Sequence, residues 1–174
     1  EIATCLYTGI STDTGCFEYS NTTSKSHTIT AELMKIGAPA GEINEKLFTV
    51  KSKKKLETDK IIFKNLEYFF DGKCAITYIT LKEMGTIGIT DNELDGIASI
   101  PIKIEGVQIG ITLREKTSGI YKASVRTRAK INANKFCKHF SGGGHTKAAG
   151  FNAEGNIEEV KSYILTAVKS QLGW

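Results

Sequence analysis

No long hydrophobic run occurs in this sequence. Its longest stretch free of Asp, Glu, Lys and Arg runs from Ile2 to Thr12, well short of the roughly 20 apolar residues that cross a bilayer, so a spanning helix is excluded and no membrane partner is expected. No secretory signal pattern is present either. Cysteine is sparse: Cys5, Cys16, Cys74 and Cys137 lie far apart with no CxxC. That spacing argues against a zinc ribbon and a disulfide-dense secreted scaffold, and it fits a reducing cytoplasm. Histidine is scarcer still. His27, His139 and His145 are the only three, and none lies near another at ligand spacing; Ser-His-Asp and Cys-His schemes have no local signature. What is present is ordinary for folded protein: 174 residues, 40% hydrophobic and 24% charged, enough for one or two small domains. The first residue is Glu1 and the text opens directly into apolar, core-like sequence, Ile2 to Tyr7, so the chain is expected to be a piece of a longer protein.

The net charge of +4 is unevenly spread. From Lys103 to Phe151 there are ten basic and two acidic residues, and all three arginines (Arg114, Arg126, Arg128) fall inside that segment. Arginine grips phosphate with a planar fork, and a positive field recruits phosphates without selecting among them. A solvated basic face is the other reading of the same charges.

The first fifty residues read as helix and loop: an apolar helix end, a turn-rich loop from Gly9 to Ser26, then two short helices separated by Gly37-Ala38-Pro39. Ile43, Leu47 and Val50 keep the spacing of a buried helical stripe. Leu56, Ile62, Phe63, Leu66, Phe69 and Phe70 also recur at helical intervals, which predicts one connecting helix closed by Asp71-Gly72. A strand-like run, Ala75 to Leu81, follows. Val107 to Leu113 alternates with a period of two, as does Ile120 to Arg128. In the latter, Tyr121, Ala123, Val125 and Thr127 share one face and Lys122, Ser124, Arg126 and Arg128 the other, which lines up three cations. A short helix, Asn132 to Phe140, runs into glycines, and an amphipathic helix with Ile157, Val160, Ile164, Ala167 or Val168, and Leu172 inward ends the chain.

Two strings could carry chemistry. Ser141-Gly142-Gly143-Gly144-His145 places three glycines in a row, at an ordering cost of roughly 0.5–1 kcal/mol each relative to alanine. They are expected where backbone adopts positive φ or lies flush against a ligand, although a tight structural turn fits as well. Their amides could form an anion nest beside the His145 donor and the Arg126 strand face, a phosphate or nucleotide pocket. Thr12-Asp13-Thr14-Gly15 offers a carboxylate to a hard divalent ion such as Mg²⁺ or Mn²⁺; capping a turn is its commoner task.

Read together, these strings resemble the DHH phosphoesterases. Gly9 to Phe17 is similar to the last metal motif of that family. Ser141-Gly142-Gly143-Gly144-His145 with Ala148-Ala149-Gly150-Phe151 resembles the glycine motif of its DHH-associated C-terminal domain, and Ser124-Val125-Arg126-Thr127 the strand before it. The resemblance runs along essentially the whole chain, with two departures: Ser141 stands where the family usually has a first glycine, and no Asp-His-His occurs.

The resemblance implies an α/β architecture: residues 1–52 the end of a DHH catalytic domain, 53–70 a linker helix, and 71–174 a substrate-binding domain with a mixed sheet flanked by helices. It implies a cytoplasmic hydrolase dependent on two divalent ions, Mn²⁺ or Mg²⁺, with Asp13 as one ligand, acting on short single-stranded RNA or on the 3′-phosphate of 3′-phosphoadenosine 5′-phosphate. Arg126, Gly142, Gly143, Gly144 and His145 would bind substrate. No complete catalytic set lies in the chain, which alone is expected to be inactive and not to bind both ions fully. RecJ-like single-stranded DNA exonucleases, cyclic-dinucleotide phosphodiesterases and exopolyphosphatases share the motifs. A non-catalytic nucleotide-binding module is the alternative of another class, and a homodimer is left open.

Overall fold

A computed structural model describes residues 1–94, 96–128 and 130–174, with Asn92 by its backbone alone. The chain forms two compact units, Glu1–Ser52 and Lys53–Trp174.

In the first unit, α1 (Ile2–Asp13), α2 (Ser24–Lys35) and α3 (Ala40–Asn44) close around Tyr7, Leu33, Ala38 and Ala40. Asn44 ties α3 to α1: it accepts from Ser11 at 2.7 Å and donates to the Tyr7 hydroxyl at 2.8 Å. The loop expected from Gly9 is corrected. Helix α1 continues through Gly9 to Asp13, and the hydroxyls of Thr8, Thr12 and Thr14 bond back to carbonyls four residues earlier. The turn begins only afterwards, where Gly15, Cys16 and Phe17 all take positive φ. The buried stripe expected at Ile43, Leu47 and Val50 is also corrected, since Leu47 and Val50 are exposed. Glu45–Thr49 forms a π-helical turn closed by Val50 N–H on the Glu45 carbonyl. The wider turn rotates later side chains off the 3.6-residue stripe.

The second unit is a six-stranded sheet in the order β1-β2-β3-β4-β6-β5, comprising β1 (Glu67–Phe69), β2 (Cys74–Ile79), β3 (Ile109–Thr117), β4 (Ile120–Thr127), β5 (Gly143–Gly144) and β6 (Ala148–Glu154). Only β2 and β3 pair in parallel, so the sheet is mixed. The expected single helix over 53–70 is corrected: α4 (Lys53–Lys64) stops at Lys64, and Glu67–Phe69 pairs along the edge of β2. Leu66, Phe69 and Phe70 hold helical spacing by coincidence, while Asn65 donates to the Tyr78 carbonyl and Glu83, turning the chain onto the sheet.

Alternation explains how the two faces are covered. One face carries Ile76, Ile109, Ile111, Leu113, Ala123, Val125 and Phe151 against α6 (Ala133–Lys138) and α7 (Ile157–Leu172), with Phe136, Val160, Ile164 and Val168 interdigitating. The α7 stripe lies inward as expected, and Asn156 caps the helix by accepting from Glu158 and Glu159 N–H. Lys161 stitches α7 to β1 through Glu67 at 2.7 Å. Burial works against its ammonium, but hydrogen bonds to Glu158 and Glu67 outweigh this and raise its pKa. On the opposite face, α4, α5 (Leu81–Ile87) and short 3₁₀ turns cover β2 and β3, where Thr77 and Thr112 donate to the Ile62 and Ile97 carbonyls. This cover sits so close that a Cβ on Gly110 would lie 2.6 Å from the Ile102 nitrogen. Past β3 it ends, and the outward residues of β4 and β6 remain partly accessible.

Candidate functional site

That open part of the sheet forms the floor of a cleft of about 610 Å³. Register builds it: Lys122 lies across from Asn152, Ser124 from Gly150, and Arg126 from Ala148. Ser124, Gly150 and Ala148 are short and stand between the long Lys122 and Arg126, which leaves the concavity. Its far wall is Ser141 to His145. The structure thus brings together Arg126, Gly142, Gly143, Gly144 and His145, all five residues expected to touch substrate.

The cleft is cationic without compensation, and no carboxylate appears in its lining. One column away, Arg114 and Lys116 both pair with Asp91, whereas among the described residues Arg126 and Lys122 make no ion pair. The Arg126 guanidinium donates to the Val125 carbonyl at 3.1 Å, leaving most of its fork free for an anion. Arg128 lies past the end of β4 and outside the cleft lining.

The glycines divide by task. Ser141, at φ +56°, ends α6: its N–H reaches Lys138 and the Gly142 N–H reaches the Cys137 carbonyl at 2.9 Å. The Gly142 amide is therefore engaged in closing the helix and that of Gly143 in the ladder to Gly150, so the expected three-amide nest is corrected to the single amide of Gly144. His145 and Ala148 exchange both main-chain bonds, at 2.8 and 3.3 Å. Antiparallel alternation then makes Gly143 and Gly150 the next bonded pair and turns the Gly144 amide away from β6. A Cβ would lie 2.3 Å from the Gly150 carbonyl oxygen at Gly142, and 2.6 Å from that of Ala148 at Gly144, where φ is +147°. Both glycines are demanded by the fold. Gly143 is not, since a Cβ there would meet only Asn134 Oδ1 at 3.7 Å.

Asp13 stands at the C-terminal end of α1, exposed, with Oδ2 accepting from Asn21 Nδ2 at 3.0 Å. Among the described residues no group of three His, Cys, Asp or Glu side chains is arranged to hold an ion. The residues present fit a divalent ion as one carboxylate ligand, not as a site for two ions.

Residues 71–173 match the DHHA1 domain. The chain belongs to the DHHA1 domain family. The match takes in the whole sheet from β2 onward and every residue of the cleft. Along its length the chain is 29% identical to the bifunctional oligoribonuclease and PAP phosphatase NrnA of Thermus thermophilus, over 174 residues covering 99% of this chain and 51% of that protein. It is 32% identical to the probable bifunctional oligoribonuclease and PAP phosphatase NrnA of Streptococcus mutans, over 164 residues covering 94% of this chain and 52% of that protein. An exopolyphosphatase-related protein from Bacteroides fragilis superposes with a TM-score of 0.85 at 28% identity, covering 97% of this chain and 49% of that one. The chain spans about half the length of the curated relatives it matches.

Around this DHHA1 cleft, sequence reasoning did not assign Lys122, Ser124, Gly150 or Asn152 to the site. The alternation that singled out Arg126 already put Lys122 and Ser124 on its face. Gly150 lies inside the Ala148-Ala149-Gly150-Phe151 string of the glycine motif but was given no role there, and Asn152 depends on the register of β6, for which the sequence carries no local signal.

Proposed function

We propose that this DHHA1 domain holds the phosphate end of a short oligoribonucleotide, or of 3′-phosphoadenosine 5′-phosphate, within a divalent-metal-dependent phosphoesterase. The observation that carries the reading is the uncompensated cleft, in which Arg126 and Lys122 face a glycine edge and an imidazole with no carboxylate in the lining. A phosphate would take the Arg126 fork as a charge-assisted pair. Gly143 would let the backbone approach it closely, and His145 would add a donor at the rim. The names of the relatives support the substrate class. Asp13 would supply one ligand to Mn²⁺ or Mg²⁺, the others coming from outside the described residues. A cytoplasmic setting belongs to the same reading, supported by four free cysteines.

One observation favours a second reading. The cleft lining holds no exposed aromatic ring besides His145, so the cleft itself suits phosphate better than base, and short polyphosphate would satisfy it. The test is a hydrolysis panel with Mn²⁺ on the protein that carries this chain: a diribonucleotide, 3′-phosphoadenosine 5′-phosphate, a cyclic dinucleotide, single-stranded DNA and short polyphosphate. Fastest turnover of the first two is expected. Preference for polyphosphate would replace the reading, and binding without hydrolysis of any of them would leave a non-catalytic nucleotide-binding module.

A further inference from the structure

The cleft does not end at the glycine edge. Strand β5 covers β6 only as far as Gly150, so among the described residues no strand pairs with the outer edge of β6 beyond it, and that edge is bare. There Ser141 and Asn152, which also line the cleft, border a second cavity of about 260 Å³ with His139, Phe140, Ala153, Glu154 and Tyr163. Since Ala148 and Gly150 direct their main-chain groups toward β5, the period of two directs those of Asn152 the same way. No strand pairs with them there, and among the described residues they have no hydrogen-bond partner. An N–H donor and a C=O acceptor thus stand side by side at the slot's edge.

The chemistry of this slot differs from that of the cleft. It contains no lysine or arginine, and it carries a carboxylate, Glu154, and aromatic rings. Tyr163 is 53% exposed and meets Phe140 edge-on at 5.0 Å, which fixes its ring while leaving surface free. The His139 ring stands 6.5 Å from it. Adjacent donor and acceptor groups match the hydrogen-bonding edge of a nucleobase, an acceptor carboxylate suits an exocyclic amine, and exposed aromatic rings offer stacking. Lys122, directly across from Asn152, is the nearest cleft cation in register.

Resting on the phosphate-binding reading of the cleft, we propose that the slot between the bare edge of β6 and Tyr163 binds an amino-bearing nucleobase of the substrate whose phosphate lies in the cleft. The slot supplies the base contacts that the cleft lacks.

The test is titration of the 174-residue chain with AMP and with ribose 5-phosphate, which has the phosphate but no base. Tyr163→Ala should weaken AMP about tenfold and leave ribose 5-phosphate unchanged, while Tyr163→Phe, which keeps the ring, should retain AMP affinity. Unchanged AMP affinity in Tyr163→Ala would overturn the slot and leave the cleft standing, as would equal weakening of both ligands. Failure of both ligands to bind the unaltered chain would overturn the cleft reading and the slot with it.

Discussion

Substituting alanine for each glycine of the edge separates fold from ligand. At Gly142 the new Cβ would lie 2.3 Å from the Gly150 carbonyl oxygen and 2.5 Å from Phe151 Cβ. Neither neighbour can swing aside, since Phe151 is buried and stacked on Phe140 at 4.1 Å. Such overpacking costs about 1–3 kcal/mol, a fall in Tm of roughly 4–12 °C at about 4 °C per kcal/mol. At Gly143 the same methyl meets only Asn134 Oδ1 at 3.7 Å, and φ is not positive. Losing glycine's freedom in the unfolded chain should then leave the variant as stable as the parent or about 0.4–1 kcal/mol more stable. The methyl would nevertheless stand in the cleft and hold a phosphate off the backbone, with an affinity loss of at least about tenfold, 1.4 kcal/mol. Thermal melts followed by titration with AMP measure both quantities. If Gly143→Ala melted as low as Gly142→Ala, or bound AMP as well as the parent, the glycine edge would be a structural turn and no more.

His145→Ala should weaken nucleotide binding while leaving bound manganese unchanged in the protein that carries this chain; loss of manganese in elemental analysis would move His145 to the metal site. The 174-residue chain with Mn²⁺ should show no enzyme-like hydrolysis of a dinucleotide, because Asp13 has no cluster of further ligands around it among the described residues; turnover abolished by Asp13→Ala would refute this. Burial pushes the thiols of Cys74 and Cys137 up to about 12. A raised folded pKa means that their contribution to stability is intact below the ordinary thiol value near 9.0 and is lost as pH climbs from there toward 12. Denaturant midpoints across that window should fall less steeply in a Cys74→Ala, Cys137→Ala double variant, and thiol reagents at neutral pH should label exposed Cys5 well before either buried residue.

Strong alternation made β4 legible from sequence: Tyr121, Ala123, Val125 and Thr127 are buried and Lys122, Ser124 and Arg126 are not. The α7 stripe was legible for the same reason, with sixteen residues reinforcing one period. Three-residue β1 was not, because Leu66, Phe69 and Phe70 fit a helix equally well and only the free edge of β2 decides. In the first unit the π turn at Glu45–Thr49 broke a spacing that the sequence kept. For the site, glycine composition located the edge but could not tell which amides remain free. That depends on Ser141 ending α6 in the left-handed region and engaging Gly142, a local geometry that a non-glycine residue at φ +56° does not announce. Asn152 entered the site only through its pairing with Lys122.

The central claim, that the DHHA1 cleft grips phosphate through Arg126, is tested most directly by calorimetric titration of a 5′-phosphorylated diadenylate into the 174-residue chain and its Arg126→Ala variant. Losing the charge-assisted pair should cost about 1.5–3 kcal/mol, roughly a 10- to 150-fold rise in Kd, with a shallower dependence on salt. Equal affinity in the two proteins, or none in either, would contradict it and return Lys122 and Arg126 to a solvated basic face.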